Sequence, residues 1–237
     1  MLYNVVVDEW GGTTYVPTAL GNVLLGAVII ALLAAAIVFA KMHAKKLGED
    51  REPGRNGAGS GRMTIKQLVF CAMAVALGTV LSNIKLFDLP YGGSVTMLSM
   101  LVICLPGYFF GCGAGLMTGL AYGVLQLLID PYILFPLQLV VDYFLGFGAL
   151  GLSGLFSGAK NGLVKGYVAA VLGRYVFVVL SGCIFFASYA WEGWGVLPYS
   201  LAYNGSYIFS EAAISIAVIL LPPVKSAVGR IRKLALE

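Results

Sequence analysis

Apolar residues in this chain neither alternate nor recur at helical spacing. They run almost unbroken for about twenty residues at a time, and short polar stretches separate the runs. A membrane-crossing helix needs roughly 20 mostly apolar residues. Seven stretches qualify: about Val16 to Ala40, then 64–82, 95–111, 112–129, 136–156, 166–187 and 205–222. Between the first and second lies GEDREPGRNGAGSG, a polar, glycine-rich linker. The pattern predicts an all-α integral membrane protein, a six-helix bundle preceded by one extra transmembrane helix. Its parts are an amino-terminal segment with the extra helix (1–46), the linker (47–62), the six-helix domain (63–224) and a basic tail (225–237).

Composition narrows the function. Hydrophobic residues make up 59% and charged residues 11%, against about 25% charged in soluble domains. That excludes an ordinary soluble enzyme and a disordered chain. A net charge of +4 is too small, and too confined to loops, for nucleic acid binding. The charges instead set an orientation. Lys41, Lys45, Lys46, Arg51, Arg55 and Arg62 follow the first apolar run. Lys160 and Lys165 precede the sixth, and Lys225, Arg230, Arg232 and Lys233 follow the last. The alternate loops hold Asp88, Asp130 and Glu192, with Lys85 the one basic exception. The positive-inside rule places the amino end outside and the carboxyl end in the cytoplasm. Asp8 and Glu9 stand where a secretory signal would carry basic residues, so the first run reads as an anchor.

Little in the membrane part could support catalysis. His43, the single histidine, sits in a basic loop, and the four cysteines show no C-x-x-C spacing. There is no P-loop. Gly111, Gly115, Gly119 and Gly123 recur every four residues, as on a helix face that lets another backbone approach; internal packing is the plain reading. Asp142, Arg174 and Glu211 fall inside predicted spans, where ionisable groups are costly. They either pair with one another or line a polar pocket. The predicted loop Ser188–Gly205 carries Tyr189, Trp191, Trp194, Tyr199 and Tyr203 beside Glu192 and Asn204, and IDPYILFP adds Tyr132 and Phe135. Aromatic faces around a buried carboxylate suit a flat, cationic heteroaromatic ligand.

Three stretches carry a family likeness: SGCIFFASYAWEGWGVLPYSLAYNGSY, PYILFPLQLVVDYFLGFGALGLSGLF and LMTGLAYGVLQLL. Over about Met63 to Leu221 the chain resembles the thiamine-specific substrate-binding (S) subunits of energy-coupling factor transporters. The resemblance implies a six-helix S-subunit fold in the cell membrane of a prokaryote, without catalytic activity. It implies thiamine as ligand, no cofactor, and a vitamin pocket near the outer surface, capped by the loop SNIKLFDLPYGGSV. Its implied partners are a transmembrane coupling protein and two ATPases, which alone use ATP; the subunit topples in the bilayer to release the vitamin inside. By position, the family's pocket residues fall on Asp142, Tyr143, Tyr132, Tyr199, Asn204, Arg174 and Trp191. A ligand-contacting histidine becomes Val178, and a stacking tryptophan becomes Phe186. Glu211, read above from the residues alone, completes the expected ligand-binding set. Ala72 and Ala76 fall on the family's docking face. Rival readings are an S subunit for a thiamine precursor or riboflavin, a lipid-modifying membrane enzyme, and a purely structural membrane protein.

Overall fold

The computed structural model describes residues 63–237, together with the paired backbones of two short strands, β1 (Tyr3–Val7) and β2 (Thr13–Pro17). Val16 and Pro17, expected to open the first membrane helix, belong to β2. Thr13, Thr14, Tyr15 and Val16 are β-branched or aromatic and favour extended backbone. The rest of that predicted helix and the linker 47–62 lie outside the described residues.

From Ile65 onward six helices pack as one bundle. They are α1 (Ile65–Ser82), α2 (Ser99–Phe110), α3 (Cys112–Ile129), α4 (Leu137–Phe156), α5 (Gly162–Phe185) and α6 (Val196–Leu220). All but α2 are long and apolar enough to cross a bilayer. A seventh helix, α7 (Pro222–Leu236), occupies what the sequence marks as a basic tail. The outward faces are apolar: Ile65 is 84% exposed, Met73 61% and Leu68 59%. Such surface is stable when hydrocarbon covers it, and helices satisfy their own backbone groups there. The core lies where α2, α3, α4 and α5 meet, around Ile103, Tyr122, Leu150 and Tyr167.

The glycine stripe settles as internal packing. A Cβ on Gly115 would lie 2.7 Å from the Gly107 Cα and 2.8 Å from the Gly151 Cα. One on Gly119 would lie 2.3 Å from the Phe147 carbonyl oxygen, and one on Gly123 2.0 Å from that of Tyr143. Backbone therefore rests on backbone along the α3–α4 seam. Gly111 differs from its three partners. It is the one residue between α2 and α3, at φ 96°, a region that glycine enters without steric cost.

Three helix starts differ from the sequence pattern, and the simplest is α5, expected from 166, which begins at Gly162 after a left-handed Asn161. The span expected at 95–111 begins as strand β4 (Ser94–Thr96), and α2 starts only at Ser99, after a left-handed Leu98. The cause is remote in sequence. Glu211, on α6 and 3% exposed, accepts hydrogen bonds from the backbone N–H groups of Thr96 (3.2 Å) and Met100 (2.9 Å). The hydroxyls of Thr96 (2.7 Å) and Ser99 (3.2 Å) also donate to it. A carboxylate from another helix thus caps the amino end of α2, where free N–H groups and the helix dipole favour negative charge. The last span, expected from 205, begins nine residues earlier at Val196. Tyr199, Tyr203 and Asn204 are therefore helical, not in a loop.

Candidate functional site

A cavity opens at the end of the bundle where α1 passes into a hairpin. Strand β3 (Lys85–Asp88) pairs antiparallel with β4, and a tight turn at Pro90–Gly92 joins them. The hairpin folds over the cavity and is held from several sides. The Gly93 N–H donates to the Tyr203 hydroxyl at 3.0 Å, and that hydroxyl donates to the Pro90 carbonyl. The rings of Tyr91 and Tyr189 lie 4.4 Å apart. Gly92 stands at φ 90°, and a Cβ there would lie 3.1 Å from the Tyr132 ring, so any side chain at this position would be strained. Lys85 reaches across to Asp130 at 2.9 Å, and that hydrogen bond holds its ammonium above the usual lysine range.

The back wall comes from α4, which is not a regular α-helix. After a first turn at Pro136–Leu139 it widens to a π-helix over Val140–Gly146, then tightens to 3₁₀ over Ala149–Phe156. π segments often mark functional positions, and this one carries Asp142 and Tyr143. Gln138, 1% exposed, organises the approach. Its oxygen accepts from the Leu134 N–H at 2.7 Å, and its amide donates to the Tyr132 carbonyl (2.9 Å) and to Asp142 Oδ2 (3.1 Å). The Tyr143 hydroxyl accepts from the Tyr132 N–H at 2.8 Å. Tyr132 is thereby fixed with its ring nearly parallel to Phe186, at 16° and 6.0 Å between centroids.

The opposite wall is α6. Tyr199, Tyr203 and Tyr207 are spaced by four, so they share one face. Asn204 donates to the Ser200 carbonyl at 2.9 Å and accepts from the Tyr207 hydroxyl at 2.9 Å. Ser200 ties the wall to α5 by donating to the Val179 carbonyl at 2.9 Å.

Asp142, Arg174 and Glu211 do not pair: among the described residues none lies within 4.0 Å of another in an ion pair. The Arg174 guanidinium sits 4.1 Å above the Phe147 ring. Three of the six buried side-chain atoms that make no hydrogen bond of good geometry among the described residues are here, namely Asp142 Oδ1, Ser181 Oγ and Arg174 Nε, and the Ser181 hydroxyl lies near enough to Asp142 to interact with it. Buried polar atoms are normally satisfied. An acceptor, a hydroxyl and a cation thus face one cavity with hydrogen-bonding capacity to spare.

Asp142, Tyr143, Tyr132, Tyr199, Asn204, Phe186, Arg174, Val178 and Glu211 all line this cavity. Trp191 does not. It is 55% exposed and packs edge-on against Tyr199, outside the wall, at 5.4 Å. Glu211 lines the floor, but its oxygens are occupied by α2 and β4, so its work there is structural. Sequence reasoning passed over Gln138 and Ser181, which a glutamine or serine in an apolar run does not announce. It also passed over Tyr207, whose spacing from Tyr203 becomes informative once the helix start is known.

Residues 68–229 match the family model described as thiamine transporter protein (Thia_YuaJ). The thiamine transporter ThiT of Bacillus subtilis (strain 168) is 34% identical over 171 residues, covering 65% of this chain and 88% of that one. A thiamine transporter ThiT of Lacticaseibacillus paracasei is 28% identical over 119 residues, 43% of this chain and 59% of that one. The solved structure of ThiT from Listeria monocytogenes superposes with a TM-score of 0.58 at 27% identity, covering 65% of this chain and 90% of that one.

Proposed function

Because the chain belongs to the thiamine transporter family, we propose that it is the thiamine-binding S subunit of an energy-coupling factor importer. It is a multi-pass membrane protein that captures its ligand and catalyses no reaction. The observation that carries the reading is the open Asp142 Oδ1 at the base of an aromatic-walled cavity. Thiamine joins an aminopyrimidine, which donates hydrogen bonds, to a cationic thiazolium ring. The carboxylate accepts from the aminopyrimidine and offsets the cation. Tyr132 and Phe186 offer near-parallel faces to a flat ring. Arg174 and Ser181 supply donors for an oxygen-bearing substituent.

In this reading the cavity faces outward and the carboxyl end is cytoplasmic. Among the described residues, Lys160, Lys165 and the basic side chains of α7 lie at the end opposite the hairpin and support that orientation. A transmembrane coupling protein and two ATPases complete the importer. Ala72 and Ala76 are exposed on α1 and form the small-residue face on which the coupling protein docks.

Calorimetric titration of the detergent-solubilised chain with thiamine tests the proposal. Saturable one-site binding at submicromolar thiamine is expected. Heat on adding riboflavin or a thiamine precursor, but none with thiamine, would overturn it. Calorimetry is the better probe because neither Trp191 nor Trp194 lines the cavity.

The hairpin acts as a lid, with Tyr203 as its latch. Tyr203→Phe removes a hydroxyl that joins α6 to both Gly93 and Pro90. Each such bond contributes about 0.5–1.5 kcal/mol. Thiamine should then dissociate about tenfold faster, with its association rate nearly unchanged, in a stopped-flow chase. An unaltered dissociation rate would remove Tyr203 from the latch.

A further inference from the structure

We propose that α7 is an interfacial helix that binds acidic phospholipid headgroups at the end of the bundle opposite the hairpin. The chain leaves the membrane span α6 at Leu220, turns at an extended Leu221 and enters α7 at Pro222. The helix therefore starts at the level where a bilayer's headgroups lie. It is docked rather than a loose tail. Arg232 donates to the Tyr108 hydroxyl at 3.1 Å and to the Ser157 carbonyl, and its guanidinium sits 4.5 Å above the Tyr108 ring. Val228 packs against the core, and Ala235 is buried.

That docking fixes which side chains face away. At about 100° per residue, Arg230 and Lys233 fall on the arc opposite Val228 and Ala235, Lys225 falls on one flank of the docked face, and all three are exposed. Ile231 (41% exposed) and Leu234 (60% exposed) lie along the other flank. A basic face beside an apolar flank is the side-chain arrangement of a helix lying in a membrane interface. The surroundings extend the positive field. Lys66, Lys160 and Lys165 are exposed at the same end. Among the described residues none of these three, nor Lys225 or Arg230, has a carboxylate within 4.0 Å; Lys233 reaches Glu237 at 3.8 Å. A surface rich in acidic lipid complements this charge, at about 1 kcal/mol per basic residue near it.

Hydrogen exchange of the full chain tests the assignment, in nanodiscs of phosphatidylcholine alone or mixed with phosphatidylglycerol. Amides of 222–236 should exchange about tenfold more slowly, or slower still, in the mixed discs. The Lys225→Gln/Arg230→Gln/Lys233→Gln variant should lose that difference and keep wild-type exchange over 65–220. Equal exchange in both discs would overturn the proposal, as would a variant that keeps the preference. Protection of α7 that arises only when a coupling protein is added would also overturn it, by making the basic face a protein interface.

Discussion

Asp142→Asn is expected to weaken thiamine binding about tenfold to hundredfold, ~1.5–3 kcal/mol, the scale of a hydrogen bond to a buried charge. The two carboxylate oxygens are not equivalent. Oδ2 already accepts from Gln138, while Oδ1 is buried and open. Asparagine can satisfy Gln138 with its own oxygen, so the loop that carries Tyr132 should stay in place. Its amide nitrogen would then take the position of Oδ1. An acceptor becomes a donor and meets the donor of the aminopyrimidine, and the negative charge that offsets the thiazolium is gone. Calorimetry on a variant with wild-type thermal stability isolates the effect. An unchanged dissociation constant would remove Asp142 from the ligand contacts and leave its open oxygen unexplained.

Gly123→Ala should be the most damaging small substitution in the bundle. The added Cβ would lie 2.0 Å from the Tyr143 carbonyl oxygen and 3.0 Å from its carbon, and backbone cannot swing aside as a side chain can. The α3–α4 seam must open, at a cost of about 3 kcal/mol or more, the upper range for overpacking. Gly113→Ala is the matched control. It lies on the same helix, is exposed, and has open space where its Cβ would go. Alanine there should hold or raise the melting temperature, since it favours helix by about 1 kcal/mol over glycine. Thermal unfolding in detergent should therefore separate the two sharply. Thiamine affinity should fall with Gly123→Ala as well, because Tyr143 is both the obstructed residue and part of the cavity wall. Similar melting temperatures for the two variants would show that the seam yields.

What could be read from the sequence, and what could not, follows from the range of the forces involved. Continuous apolar runs marked the helices because burial in hydrocarbon is decided residue by residue. Their ends were harder to place. The start of α2 depends on Glu211, more than a hundred residues away in the chain. The start of α6 was hidden because Tyr199, Tyr203 and Asn204 resemble loop chemistry. They are polar because they face a cavity, and a helix wall around a polar cavity has the composition of a loop. The regular stripe of glycines correctly suggested close packing, but only the fold separates Gly111, a turn, from the three that touch backbone. Asp142 and Arg174 stood out as charges in apolar runs. Gln138 did not, although it holds both Asp142 and the Tyr132 loop. Trp191 drew attention as an aromatic, but it faces away from the cavity.

The widened turn of α4 has an evolutionary reading. A π segment accommodates one residue more than the α-helix it interrupts, so the stretch Val140–Gly146 behaves as a single-residue insertion that the bundle has absorbed. Deleting one residue within it would restore a regular helix and leave its two flanks near their present orientation, because the wider turns of the segment already take up the extra residue. Gln138 and Phe147, outside the segment, would keep their places, while Asp142 and Tyr143, inside it, would be re-aimed. A relative one residue shorter here would thus keep the membrane spans while rearranging its recognition surface, and a gap at this position in an alignment would signal altered ligand choice.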